Sequence, residues 1–126
     1  MKKLFLLGLM TMLAGSAWAE WVMFTKAKNE EVTHYFDPAT ILKDGNTRRV
    51  WQLNDLSKRD KAGEMSRRMR FEYDCKQERY RVLGFSIHSE HMASGTVLLY
   101  AGEDKNWREI APETVAEKLL KIVCAK

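Results

Sequence analysis

Alternating apolar and polar residues between Arg68 and Cys75 give the clearest structural signal in the chain. The apolar set is Met69, Phe71, Tyr73 and Cys75, and the polar set is Arg68, Arg70, Glu72 and Asp74. A period of two is typical of a β-strand that covers a core with one face and meets solvent with the other. The pattern therefore predicts a strand with an apolar inner face and a charged outer face.

The segment from Arg79 to Ile87 predicts the next strand. Its apolar residues on one face are Leu83, Phe85 and Ile87. A loop over residues 76–78 would pair Phe71 with Leu83 and Met69 with Phe85. Because a shift by one residue would turn one apolar set outward, we expect an antiparallel hairpin in this register.

Shorter β-prone segments flank this hairpin and are bounded by turn residues such as Asp37-Pro38 and Asp44-Gly45-Asn46. The further predicted strands are Trp21–Thr25, His34–Phe36, Arg48–Leu53 and Thr96–Tyr100. The segment from Asn54 to Glu64 is polar and is predicted to be a mobile loop.

The period changes near the C-terminus, where Thr114 and Glu117 have the spacing of a helix capping box. The apolar residues that then fall on one side of a helix are Val115, Leu119, Ile122 and Val123. This spacing predicts an amphipathic helix of about three turns. An antiparallel β-sheet of about six strands with a C-terminal α-helix packed on it is an α+β fold.

The first residues of the chain resemble an export signal. Two lysines precede the apolar run Leu4–Leu13, which is too short to span a bilayer, and Ala17-Trp18-Ala19 is typical of a signal peptidase site. We expect residues 1–19 to be a signal peptide and residues 20–126 to form a single domain. The predicted cleavage site has no cysteine for lipid attachment, so the expected location is periplasmic or extracellular without a lipid anchor.

The charge balance excludes one class of partner. The chain has 21 Lys and Arg against 17 Asp and Glu, and removal of Lys2 and Lys3 would lower the formal charge from +4 to +2. Such a small charge does not predict nucleic-acid binding. No later apolar run reaches the length of a membrane span, so no transmembrane segment is predicted.

The two cysteines, Cys75 and Cys124, both follow the predicted signal peptide. An isolated pair in an oxidising compartment is expected to form one disulfide. Because the loop between them is long, chain entropy predicts a stabilisation of about 4 kcal/mol. A redox or metal-binding thiol pair is the alternative, and it is disfavoured because Cys-x-x-Cys spacing is absent.

Arg68 and Arg70 are the candidate binding residues, since they project from one face of a predicted strand. Basic residues in neighbouring segments are Arg48, Arg49, Lys58, Arg59 and Lys61. Arginine pairs well with anionic oxygens, so this surface could hold acidic proteins, glycosaminoglycans or lipopolysaccharide phosphates. The alternative is a solvated face balanced by Glu72 and Asp74.

Three histidines, His34, His88 and His91, are the candidate metal ligands. Surface histidines are the simpler interpretation, because the His-Glu-x-x-His motif of a helical zinc site is absent. We therefore predict no metal and no cofactor.

The aromatic residues divide into two groups. Those on period-two faces are expected in the core, although they could instead form an aromatic ligand platform: Trp51, Phe71, Tyr73 and Phe85. Trp21 and Trp107 are expected to be partly exposed, where tryptophan serves as an interface anchor.

An ordered series of motifs runs along most of the chain. The series is Trp21, Tyr35-Phe36-Asp37-Pro38, Val50-Trp51-Gln52-Leu53, Phe71-Glu72-Tyr73-Asp74-Cys75, Arg79-Tyr80-Arg81-Val82-Leu83, Met92-Ala93-Ser94-Gly95, Trp107, Pro112-Glu113-Thr114 and Cys124. It resembles the surface-adhesin protein E-like domain of Gram-negative bacteria. The resemblance implies a six-stranded antiparallel sheet, a C-terminal helix held to it by a Cys75–Cys124 bond, and a relation to proteins that bind host extracellular-matrix and serum proteins.

These features together favour an exported, non-catalytic, adhesin-like binding protein. It would engage a host matrix protein, an envelope protein or an anionic surface through an exposed sheet face or the loop Asn54 to Glu64. One alternative is a periplasmic protein that inhibits or escorts another envelope protein. Another is a small metal-dependent hydrolase using the three histidines, which the missing motifs disfavour. The oligomeric state stays open, because edge strands of an open sheet can pair two copies.

Overall fold

The computed structural model describes residues 20–125. The predicted signal peptide over residues 1–19 lies outside the described residues. The strands are β1 (Val22–Ala27), β2 (Val32–Phe36), β3 (Leu42–Asp44), β4 (Thr47–Leu56), β5 (Ser66–Asp74), β6 (Arg79–His88), β7 (Val97–Ala101) and β8 (Arg108–Glu109), and the helix is α1 (Val115–Val123).

The strands form one antiparallel sheet in the order β1-β2-β4-β5-β6-β7. Two short strands extend it: β3 pairs with β4, and β8 pairs with β6. The six strands of the main order and the C-terminal helix confirm the predicted α+β fold. The sequence pattern did not predict β3 or β8.

Strand β4 is longer than its predicted extent, so the prediction of a loop beginning at Asn54 is wrong. Residues Asn54–Leu56 continue the strand, because β4 pairs with β2 on one side and β5 on the other. The loop proper covers residues 57–65. Asp60 closes it locally, since its Oδ1 accepts from the amides of Ala62 and Glu64 at 2.9 and 2.8 Å.

The β5–β6 hairpin keeps only part of the predicted register. Met69 lies opposite Phe85 as expected, but Phe71 lies opposite Val82 rather than Leu83. The loop is one residue longer than predicted, and a bulge at Leu83 compensates for the shift. The next residue, Gly84, has φ +156, and a Cβ there would approach the carbonyl oxygen of Ala101 to 3.4 Å.

Helix α1 begins as the sequence predicts. The Thr114 side chain accepts from the amide of Glu117 at 3.2 Å, and the Glu117 carboxylate accepts from the amide of Glu113 at 3.3 Å. This arrangement satisfies amides that a helix N-terminus leaves free.

The buried stripe of α1 differs from the predicted one. Leu119, Leu120 and Val123 are buried, whereas Ile122 is 40% exposed, so the prediction for Ile122 is wrong. Residues four apart share one side of a helix, so buried Leu120 lies on the same side as Cys124, which is bonded to the sheet at Cys75.

The core lies between α1 and one face of the sheet. Its buried residues are Phe36, Val50, Met69, Phe71, Tyr73, Leu119, Leu120 and Val123. Cys75, just after β5, is bonded to Cys124 at the end of α1 with 5.7 Å between their Cα atoms. The predicted disulfide is confirmed, and it joins the helix to the sheet beside this core.

Candidate binding site

The sheet face opposite α1, here called the outer face, carries the predicted arginines. Val50 lies opposite Phe71, and both are buried in the core. Successive residues of a strand point to opposite faces, so the next pair along, Trp51 and Arg70, lies on the outer face. Arg68 is two residues from Arg70 and shares its face, as predicted.

Both arginines contact the indole ring of Trp51. The guanidinium carbon of Arg68 lies 4.6 Å from the ring centroid, and that of Arg70 lies 6.0 Å away. These are cation–π distances, and such stacking holds the guanidinium groups in place while their N–H edges stay available. The expectation that Trp51 belongs to the core is therefore wrong, because its strand position turns it away from α1.

A second group of the same kind lies on the outer face near β8. Arg79 and Arg81 both stack on Trp107, at 4.5 and 4.4 Å from its ring centroid. Trp107 is half-buried, which agrees with its expected partial exposure. The alternation Arg79-Tyr80-Arg81 was the signal in the sequence that two basic residues share one face.

Two buried carboxylates neutralise the arginines of this second group. Glu72, only 3% exposed, pairs with Arg49 at 2.8 Å and with Arg81 at 2.7 Å. Asp74 pairs with Arg79 at 3.0 Å. The sequence had suggested that Glu72 and Asp74 balance Arg68 and Arg70, but they pair with other arginines.

The pKa values of these carboxyl groups keep them charged. Burial alone would raise the pKa of Glu72, but hydrogen bonds from Arg49 and Arg81 outweigh it and the net pKa is lowered. The pKa of Asp74 is lowered by the Gln77 amide first, against the effect of burial, and then by Arg79. Both groups are therefore ionised at neutral pH, so each keeps the negative charge that pairs with its arginines at that pH.

Arg68 and Arg70 remain as the unbalanced charges of the outer face. Neither forms an ion pair with a carboxylate within residues 20–125. Arg68 is exposed and Arg70 is half-buried. Two like charges held beside one indole repel each other, and an oxyanion between them would relieve that repulsion.

The other basic residues contribute less to this site. Arg48 donates to the carbonyl oxygens of Gly45 and Thr47 at 2.8 Å and serves the β3–β4 turn. Arg59 binds backbone carbonyls of the loop segments and Glu90. Of the neighbouring arginines named from the sequence, Arg49 alone joins the outer-face cluster described here.

The segment over residues 89–95 covers one end of the outer face. The Ser66 hydroxyl donates to the Glu90 carbonyl at 2.6 Å and accepts from the Ala93 amide at 2.9 Å. Asp55 accepts from the Met92 amide at 2.9 Å. Leu53, which lies opposite Arg68 on β4, is fully buried outside the main core, and β4 packs against this segment.

The three histidines lie in separate places. His34 bonds Asn54 on the helix side of the sheet at 2.7 Å, whereas His88 bonds Ser86 at 2.7 Å. His91 pairs with Asp55 at 3.0 Å. Within residues 20–125, no group of three side chains is arranged to hold a metal ion.

Burial lowers the pKa of both His34 and His88. For His34 burial is the main cause, opposed by the hydrogen bond with Asn54. For His88 burial acts first and the charge of Arg68 adds to it.

Comparison with known proteins assigns the family. The family model for surface-adhesin protein E matches residues 21–125. The chain belongs to the surface-adhesin protein E family. Membership supports an adhesin-like binding protein of non-enzymatic character, and it agrees with export from the cytoplasm.

Solved structures of one relative have the same fold. Crystal form II of Haemophilus influenzae protein E aligns with a TM-score of 0.62 at 19% identity, over 82% of this chain and 87% of that one. Protein E from non-typeable Haemophilus influenzae aligns with a TM-score of 0.54 at 19% identity, over 82% and 75%. No curated protein sequence matches the chain significantly. Among residues 20–125, no helix is long and apolar enough to cross a membrane.

Proposed function

We propose that this chain is an exported, non-catalytic binding protein that engages its partner through Arg68, Arg70 and Trp51 on the outer face. Its partner is a protein of the host matrix or of the envelope with an acidic surface, or another anionic macromolecule. Family membership supports binding as the task. The outer-face geometry supports the location of the site.

One observation carries the proposal: two arginines that have no carboxylate partner among residues 20–125 stack on the same half-buried indole. Arg49, Arg79 and Arg81 on this face all have carboxylate partners. In the part of the chain that the structure describes, neither Arg68 nor Arg70 closes a turn or neutralises a buried acid, so folding does not require either residue to be basic. Preorganised guanidinium groups beside an aromatic ring suit an interface that recognises carboxylate, sulfate or phosphate groups.

The direct test is a binding panel with the processed chain, residues 20–126. Immobilised extracellular-matrix proteins, a heparin oligosaccharide, vesicles with anionic lipids and envelope extracts would serve as targets. Arg68→Gln with Arg70→Gln removes both charges while keeping polar side chains of similar length. We expect this double variant to lose about tenfold or more in affinity, because each charge-assisted contact contributes about 1 kcal/mol or more.

The matched control removes the same charge elsewhere. Lys43→Gln with Lys121→Gln changes two exposed lysines away from the outer face and should bind as the unaltered chain does. Equal losses in both double variants would reveal a nonspecific charge effect and contradict the site. Absence of binding to every member of the panel would contradict the function itself.

Location is a separate part of the proposal. We propose that export removes residues 1–19 and leaves the protein in the periplasm or outside the cell. Mass analysis of native protein should find Glu20 at the start, and fractionation would separate periplasmic from surface-exposed protein. A mature protein that retains Met1 would contradict this part.

A further inference from the structure

A cleft lies beside α1 on the helix side of the sheet, opposite the outer face. Its wider part has a volume of about 400 Å³, and its narrower part, of about 190 Å³, reaches the first residues of α1. The two parts meet at His34 and Asn54, which line both. Small-molecule sites have volumes of about 300–1,000 Å³, so this helix-side cleft has the size of a site for a small organic ligand.

Two buried side chains present unpaired atoms to the cleft. His34 is 8% exposed and Gln52 is 4% exposed. The Nδ1 of His34 donates to the Asn54 oxygen at 2.7 Å, so its Nε2 is an acceptor. The Gln52 oxygen accepts from the Tyr73 hydroxyl at 3.1 Å, so its Nε2 is a donor. Neither Nε2 atom has a partner within residues 20–125, and neither is sealed from solvent.

These two atoms need a partner that the described fold does not supply, since buried polar side chains are normally paired. One atom accepts and the other donates. A hydroxyl group is the simplest chemical group that can serve both, because it donates one hydrogen bond and accepts two. The chemistry of the cleft therefore points to a ligand with several hydroxyl groups.

The charges that line the cleft cancel. Two cations and two carboxylates line the wider part: Lys28, Arg67, Asp60 and Glu64. Arg67 pairs with Glu64 at 2.8 Å, and one oxygen of Asp60 accepts from loop amides. The narrower part has no charged lining residue, since burial lowers the pKa of His34 and keeps its ring neutral. A ligand with net charge would gain little here.

We propose that the helix-side cleft binds a neutral sugar unit, with one hydroxyl donating to His34 Nε2 and another accepting from Gln52 Nε2. A sugar ring carries several hydroxyls on a compact frame, whereas a single peptide unit offers one donor and one acceptor. Tyr80 lines the narrower part and supplies an aromatic side chain for the apolar face of the ring. The cleft and the arginine site lie on opposite faces, so this property goes beyond the binding function proposed above.

A nuclear magnetic resonance titration of ¹⁵N-labelled residues 20–126 tests the proposal. We expect the His34 Nε2 signal and the Gln52 side-chain amide signals to shift saturably with a neutral sugar at millimolar concentration. The disaccharide of N-acetylglucosamine represents cell-wall glycans and lactose represents host glycans, so the stronger of the two identifies the source. Glucuronate and glucosamine, which are charged, should bind more weakly than glucose, and so should N-acetylglycine amide as a neutral peptide unit.

Variants of the cleft give a second measurement. Ala27, half-buried at the end of β1, lines the wider part. Ala27→Trp should fill the cleft and weaken sugar binding about tenfold or more, whereas Ala27→Ser is the matched control and should bind as the unaltered chain does. His34→Phe removes the acceptor and should also weaken binding about tenfold. Neither variant should change partner binding by the outer face, so the two proposals fail separately.

Three results would overturn the proposal. The first is that no neutral sugar shifts the His34 or Gln52 signals of the unaltered chain at tens of millimolar, a result that does not depend on any variant folding. The second is tighter binding of a charged sugar or of N-acetylglycine amide than of every neutral sugar. The third is sugar binding that a folded Ala27→Trp variant leaves unchanged.

Discussion

Removal of the Cys75–Cys124 disulfide should have a large and calculable effect on stability. The double variant Cys75→Ala with Cys124→Ala breaks the covalent link between the end of β5 and the end of α1. The cysteines are separated by 49 positions in the sequence. For a loop of that length, the chain-entropy model gives a loss of about 4 kcal/mol in the free energy of unfolding.

The loss of stability is expected to affect helix α1 before the rest of the fold. Helix α1 has nine residues, and isolated helices shorter than about 12–15 residues are marginal in water. Its docking therefore depends on the burial of Leu119, Leu120 and Val123 and on the covalent link. Without the link, α1 is expected to be the first element to detach.

Urea unfolding followed by circular dichroism would measure the effect. The oxidised chain, the same chain with reductant and the double alanine variant should be compared. The two forms without the bond should each lose about 4 kcal/mol, equivalent to a fall of about 15–30 °C in melting temperature. A loss below about 1 kcal/mol in both would refute the reasoning that the bond limits the unfolded chain.

Three further predictions concern single positions. Glu72→Gln should lower the free energy of unfolding by about 1–3 kcal/mol in urea titrations, because its two arginine partners lose a buried ionised acceptor; an unchanged midpoint would contradict it. Burial lowers the pKa of His34 and His88 below the ordinary 6.5, so the unfolded chain binds protons more readily. Stability should therefore fall as the pH drops below about 6.5, and His88→Asn should reduce that slope in thermal melts recorded from pH 7.5 to 5. Gly95→Ala should cost about 2 kcal/mol or more by the same urea assay, because φ is +78 and a Cβ would collide with Ser89 and Glu90, whereas Gly45→Ala, which meets no atom, should cost less.

Local patterns in the sequence were sufficient to predict the main elements of the fold. The alternation in β5 and the capping residues of α1 depend on residues close in sequence, so both predictions were confirmed. The register near Phe71 was not predictable in this way, because it depends on a bulge at Leu83 beside Gly84. Pairing on both sides also decides that Asn54–Leu56 are strand, and no local pattern contains that information.

The candidate site was only partly predictable for the same reason. The spacing of Arg68 and Arg70 places them on one face of a strand. Their common contact with Trp51 depends on the β4–β5 register, and the hidden role of Glu72 depends on arginines from β4 and β6. The sequence pattern places Glu72 among the surface charges, whereas in the structure Glu72 is buried and accepts hydrogen bonds from Arg49 and Arg81.

Indole N–H signals in a nuclear magnetic resonance titration would test the central claim most directly. Residues 20–126 contain three tryptophans, Trp21, Trp51 and Trp107, and each gives one such signal. On addition of whichever partner the binding panel retains, the Trp51 signal should shift and the Trp21 signal should stay. A Trp51 signal that stays unchanged when the partner saturates the chain, or a shift of the Trp21 signal alone, would contradict a site on the outer face.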